Sequence, residues 1–190
     1  MTLHYLIPAA LAALLLYAVL IYNGLVQLKN GVAKAWSNID VLLKQRHDEL
    51  PKLVEACKAY MQFERDTLEG VMRARAGSQA AREKGDVQGV SAAEGALRAG
   101  VGRIVATVEA YPQLKANQQM ASLLSRITAL ESEISDRREF YNEYVANNNC
   151  RIEQFPDLIV ARLCGFREKV SLQFSAEDTQ DVDLRALFRA

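Results

Sequence analysis

Histidine is almost absent from this 190-residue chain. It has two, His4 and His47, which all but excludes a histidine-rich metal site. Proline and glycine are scarce, at four and ten. Folds dense in hairpin turns need more of both, which argues against an all-β architecture. Net charge is also lacking, because 23 basic residues balance 23 acidic ones. A nucleic-acid binder driven by bulk charge would need a basic excess, so no nucleic-acid partner is expected. Three cysteines, Cys57, Cys150 and Cys164, form an odd set without a short repeated spacing. They suit neither a disulfide framework nor a zinc site, and are expected as small buried apolar residues in a reducing compartment.

Fixed charge is missing from Met1 to Leu28, and what stands there instead decides location. Leu3 to Tyr22 is an apolar run of the length a helix needs to cross about 30 Å of hydrocarbon. Tyr5 and Tyr22 lie near its ends, where aromatic rings favour the interface. A cleaved signal peptide would want a basic start and a small-residue cleavage site after the run. The alanines here fall in its middle. No cysteine follows to carry a lipid. An uncleaved span over 1–28 is therefore expected. Lys29 and Lys34 precede Asp40, and Lys44 and Arg46 follow it, so the positive flank places the bulk of the chain on the cytoplasmic side.

The rest has the period of helices, and half the residues are apolar, enough for a core. Leu25, Leu28, Val32, Ala35, Ile39 and Leu42 recur at steps of three and four, the stripe of an amphipathic helix. No strong breaker separates it from the apolar run. One helix of about 60 Å from residue 9 to 50 is expected, a stiff stalk that would orient the body against the bilayer. Pro51 marks a kink or a new first turn. A second stripe takes in Tyr60 or Met61 and Glu64. Seven of the ten glycines fall in 70–102, and a break is expected between Gly77 and Val90. Ser91 with Glu94 reads as a capping box opening a third helix through Ala110. Tyr111 and Pro112 close it, and Asn117 caps the fourth.

The fourth stripe runs from Met120 through Ile127, Ile134, Tyr141, Val145, Asn148 and Ile152 to Phe155. Pro156 ends or kinks it. A short helix from Asp157 to Leu163 with a cap at Gly165 follows. The fold class expected is all-α: a transmembrane helix continuing into an up-and-down antiparallel bundle of about four long helices over 29–170. An acidic tail covers 171–190, with an amphipathic turn or two at 183–189 when a partner is present.

The run from Tyr22 to Tyr60, the AYPQLKANQQM stretch at 110–120, RREFYNEYVANNN at 137–149 and FPDLIVARLCGF at 155–166 together resemble the LemA family. The likeness covers 22 to about 170. It implies a membrane-anchored antiparallel bundle and no settled activity. The family includes a magnetosome member, which implies a part in membrane organisation. It is also found encoded beside the membrane protease HtpX, which implies an envelope or membrane-quality role. Some members are outward-facing lipoproteins, so the resemblance leaves the periplasmic side open.

Catalytic patterns are missing. No glutamate stands three residues before either histidine, as di-iron bundles require. His-Glu-x-x-His and the phosphate loop are absent. Gly100-Val101-Gly102 lies in a helical stretch, where close packing explains it better than a dinucleotide site. One nucleophile pair, a cysteine with His47, stays open. No catalytic residue, cofactor or metal is assigned. The cluster Trp36-Ser37-Asn38-Ile39-Asp40 has two readings, a docking surface near the membrane and, preferred, packing of Trp36 in the bundle. Asp40 should pair with Lys44, with Arg46 or with an arginine of another helix. Arg137 and Arg138 fall on the fourth stripe and want carboxylate partners, Asp40 and Glu64 being candidates. Asn142 and Asn147 to Asn149 are placed to bond across helices. The positions singled out for structure or interaction are Trp36, Asp40, Arg46, Pro51, Tyr111, Pro112, Asn117, Arg138, Tyr141, Asn142, Phe155, Pro156, Gly165 and Phe166. Three functions remain, in order: a self-associating scaffold of a membrane complex, an accessory of a membrane protease of the HtpX type, and, last, an enzyme.

Overall fold

A computed structural model describes residues 3–58, 65–112 and 116–173. It holds α1 (Leu3–Lys58), α2 (Arg65–Lys84), α3 (Val87–Ala110), α4 (Gln118–Glu153) and α5 (Asp157–Leu163). The described residues contain no strand, as the scarcity of turn residues requires. The chain forms two compact units, one of Met1–Asp40 with Ser135–Ser171, the other of Val41–Ile134 with Leu172–Ala190.

In the first unit the early part of α1 packs antiparallel to the late part of α4. Gly24 lies against Arg151, Gly31 against Tyr144 and Trp36 against Tyr141, so a step forward along one helix matches a step back along the other. The buried residues Leu25, Val32, Ala35 and Ile39 repeat at heptad-like spacing, the pattern that keeps one seam facing a partner helix. At the far end Ile21, Leu25, Ile152 and Ala161 form a cluster with Val160 and Phe166. Burial starts abruptly there. From Tyr5 to Leu20 the helix is solvent-facing apart from half-buried Ala18.

α5 ends as its sequence demands. Gly165 takes φ +71°, a backbone conformation open to glycine. The amide of Phe166 bonds to the Ala161 carbonyl at 3.0 Å, and that of Gly165 to Arg162 at 3.4 Å. These are the paired bonds of a Schellman cap. The strand-free segment after it is pinned to α4. Asn149 both donates to the Lys169 carbonyl and accepts from its amide, each at 2.8 Å, and the Tyr141 hydroxyl donates to the Val170 carbonyl. Asn148 Nδ2 reaches the Arg167 carbonyl at 3.5 Å. Asn148 and Asn149 therefore hold the segment after α5, and not a second long helix, against α4.

In the second unit Leu50, Leu53, Val54 and Cys57 of α1 meet Leu68 and Val71 of α2, Leu97, Val101, Ile104 and Val108 of α3, and Met120 and Ile127 of α4. The α2–α3 turn is shorter than the glycine content suggests. Gly85 at φ +68° ends α2, and Asp86 caps α3 by accepting from the Gly89 amide at 2.9 Å. Ser91 and Glu94 are thus inside α3 and form no capping box. The Ser91 hydroxyl donates to the Gln173 carbonyl. Leu172, expected in the tail, is buried. The Asn117 cap forms as expected: its Oδ1 accepts from the amides of Gln119 and Met120. Tyr111 turns to extended backbone and ends α3.

Candidate functional site

The second unit encloses a charged centre. Arg46 lies on the α1 stripe between Leu43 and Leu50, and is 1% exposed. Its guanidinium pairs with Glu94 of α3 and Glu131 of α4. The neighbouring His47 sets Nε2 3.2 Å from Glu94 Oε1. The Ser78 hydroxyl of α2 donates to that same oxygen. Glu49, one turn on, accepts from Arg126 of α4 at 2.6 Å and from Lys52 at 3.2 Å. Four helices of the unit are joined through six charged groups and a hydroxyl. Buried charges persist only when paired and hydrogen-bonded, and here the pairing crosses from helix to helix.

Serine, histidine and glutamate side by side invite a catalytic reading, and the geometry refuses it. Ser78 and His47 both address one oxygen of Glu94, so the carboxylate receives the hydroxyl proton and the imidazole does not. A nucleophile needs its own base within reach. All three residues are also sealed from solvent. Burial, with the positive charges of Arg46, Arg82 and Arg75, lowers the His47 pKa from 6.5 to about 4, so the ring is neutral at pH 7. In that state Nε2–H donates to Glu94. Cys57 is equally unsuited to attack, since burial raises its pKa to about 11 and attack requires the thiolate. The other two cysteines are exposed and not the core residues expected. Among the described residues no group of three or more His, Cys, Asp or Glu could hold a metal ion.

The remaining sequence-selected residues divide between the units. Trp36 is half-buried with its ring 5.6 Å from Tyr141, as expected of a packing residue. Asp40 is half-buried, while Arg46 pairs with Glu94 and Glu131. Of the arginine pair on α4, Arg138 is buried and Arg137 exposed. Asn142 is half-buried beside them. Glu64, one candidate partner, lies outside the described residues, as do Tyr60 and Met61. A cleft of about 170 Å³ beside Gly31, Asn38 and Phe140 is smaller than ordinary ligand sites.

Pro51 opens no new helix, because α1 runs through it to Lys58. Phe155 is not the last core residue of α4. It stands 80% exposed after the helix ends at Glu153, and Pro156, joined to it by a cis peptide, holds the N-cap position before α5. Phe166 packs edge-on against Tyr22 at 5.9 Å. Tyr111 is half-buried on the second core and Pro112 is exposed.

Glu94 is the residue of the charged centre that motif reading misplaces. A signal for it exists. Glu94, Leu97, Val101, Ile104 and Val108 advance by three and four, so Glu94 occupies a core position of α3. Arg46 sits in the same phase as Ile39, Leu43, Leu50 and Leu53. Two opposite charges on two core stripes predict each other.

α1 is the one helix among the described residues long and apolar enough to cross a membrane, by length and composition. Only 6% of its apolar window is buried, so that window is not the core of either unit. Two relatives, magnetosome proteins MamQ 1 and MamQ 2 of Paramagnetospirillum magneticum, are each 25% identical over 169 residues, covering 77% of this chain. The chain spans 62% of the length of each. The sequence profile of the LemA family matches residues 35–185, a range that takes in Arg46, Glu94, Glu131 and the α5 cap. By that match over most of its length, this helical chain belongs to the LemA family.

Proposed function

We propose that the protein is a non-enzymatic, membrane-anchored helical scaffold that self-associates and organises a membrane or envelope complex. One observation carries this reading. The exposed apolar run Tyr5–Leu20 and the core-lining residues from Ile21 to Cys57 belong to a single unbroken helix. An anchor joined to its body without a linker suits a part that holds position. The polar centre adds support, since its buried groups are spent on joining helices and are closed to substrate. The relatives are named as magnetosome proteins, and the family likeness implies a part in membrane organisation. Lys29, Lys34, Lys44 and Arg46 favour an inner-membrane protein with its bulk in the cytoplasm.

The scaffold reading is tested by mass measurement in mild detergent, with cross-linking in intact cells. A homo-oligomer or a reproducible membrane partner is expected. A strict monomer that captures nothing defeats it. The protease-accessory alternative rests on family association and on residues 183–189, which lie outside the described residues. Unchanged substrate turnover after full deletion removes it.

A further inference from the structure

The first unit carries an apolar face that nothing in that unit covers. Phe155 is 80% exposed, Ile159 51% and Leu163 81%. They stand four residues apart, so Ile159 and Leu163 share one side of α5 and Phe155 precedes them in phase. The opposite side is occupied. Asp157 is held by Arg151, and Ala161 enters the cluster of Ile21, Leu25 and Ile152.

The position of this face is set by contacts within the unit. Val160 and Ala161 pack on Ile21 and Leu25, and Phe166 meets Tyr22. Ile21 is where the exposed apolar run Tyr5–Leu20 stops. α4 arrives at the same level, because Arg151 stands against Gly24 and the helix ends two residues later. The segment that carries these three apolar side chains therefore packs on the turn of α1 that would leave a bilayer. Scattered exposed apolar residues are ordinary. An apolar stripe on a short helix beside a candidate span is what an interfacial element presents. Exposed Arg162 can lay its stem along the patch and raise its charge to lipid phosphate.

We propose that α5 and the turn before it are a second bilayer contact, a foot whose Phe155, Ile159 and Leu163 enter the boundary between headgroups and acyl chains. The inference rests on reading the run as a membrane anchor. Its occupant is lipid, because α5 packs on Ile21 and Leu25, at the residue where the exposed apolar run ends. With two points of attachment, the first unit keeps one tilt against the membrane.

The test uses the full chain in two sets of liposomes, one with lipid brominated in the upper acyl chain to reach the foot and one with lipid brominated near the chain end to reach Leu11, bromine quenching tryptophan by contact. Phe155→Trp and Leu163→Trp report on the foot. Phe140→Trp, 54% exposed beside Gly31 and Ala35 on the same unit, is the dry control, and Leu11→Trp reports on the anchor. The Trp36 signal of the parent chain is subtracted. Quenching of at least about twofold is expected at Phe155, Leu163 and Leu11, with Phe140 unchanged, as shallow insertion requires. Quenching at Leu11 alone overturns the foot and leaves the anchor. No quenching at Leu11 overturns the anchor and the foot with it. A blue-shifted but unquenched Phe155→Trp means that protein covers the stripe, which also overturns the proposal. Exposed Cys164, labelled with a nitroxide in a Cys150→Ser background, gives a reading that leaves the stripe itself unaltered. Its label should meet membrane-dissolved oxygen more than a water-soluble relaxant, and the reverse order overturns the foot.

Discussion

The carbonyl oxygen of His47 accepts a hydrogen bond from Nε of Arg75 at 2.7 Å. This is the carbonyl that Pro51, four residues on and without an N–H, leaves short of its helical donor. α1 passes through the proline unbroken because a side chain from α2 takes the place of the missing amide. A defect inside one helix has become a tie between two.

That exchange makes a prediction. Arg75→Ala removes the donor, and loss of a bond from a charged group should destabilise the second unit by about 1.5–3 kcal/mol. Pro51→Ala restores an amide to the same carbonyl. Arg75→Ala in the Pro51→Ala background should then cost less than in the parent. A double-mutant cycle of denaturant unfolding in detergent reads the coupling. Strict additivity would show that the two residues act separately.

Arg46→Met should destabilise the unit by about 3–5 kcal/mol, because Glu94 and Glu131 keep their charge and lose the guanidinium between them. Arg137→Met, on the exposed side of α4, should stay within about 0.5 kcal/mol. Thermal unfolding of the two variants compares them directly.

His47 sets a pH dependence. Its pKa falls from 6.5 to about 4 on folding, so the unfolded chain binds the proton more tightly. Stability from this group is complete above pH 6.5 and is lost as pH falls toward 4. The displacement corresponds to about 3 kcal/mol at about 1.4 kcal/mol per unit. His47→Gln should flatten that part of the stability profile between pH 6.5 and 4. An unchanged slope would refute the assignment.

Two glycines a turn fraction apart should respond with opposite signs. A Cβ at Gly100 would meet a Val71 methyl at 2.6 Å, and Val71 is fully buried. Overpacking there should cost Gly100→Ala about 1–3 kcal/mol before helix propensity returns up to about 1. Gly102 has nothing within 4 Å, so Gly102→Ala should stabilise by about 0.5–1 kcal/mol. Melting temperatures of the pair measure it.

The long helices are legible in the sequence because their stripes repeat over many turns, and Asn117 and Gly165 mark their ends by local chemistry. α5 is legible to its boundaries, set by Pro156 and Gly165. The α2–α3 break is legible only loosely, because glycines spread over 70–102 offer several stops and only Gly85 takes positive φ with a capping Asp86 beside it. Ser91 and Glu94 imitate a helix start, and a motif of two residues carries no information about burial. Pro51 looks like a terminus since its rescuer, Arg75, is 28 residues away. The polar centre needs three-dimensional pairing, although Arg46 and Glu94 are each visible as charges in core phase.

The unbroken course of α1 also fixes the azimuth of its exposed apolar run, and would fix it within a bilayer too. A helix with 3.6 residues per turn carries its azimuth along its length. Leu25 faces the interior of the first unit, so Ala18, Leu14, Leu11 and Ile7 lie below it on the same meridian. Swivelling that meridian among lipids would turn Leu25 out of its seat. Whatever neighbours the meridian within a bilayer is therefore chosen by the compass bearing of the folded part outside it.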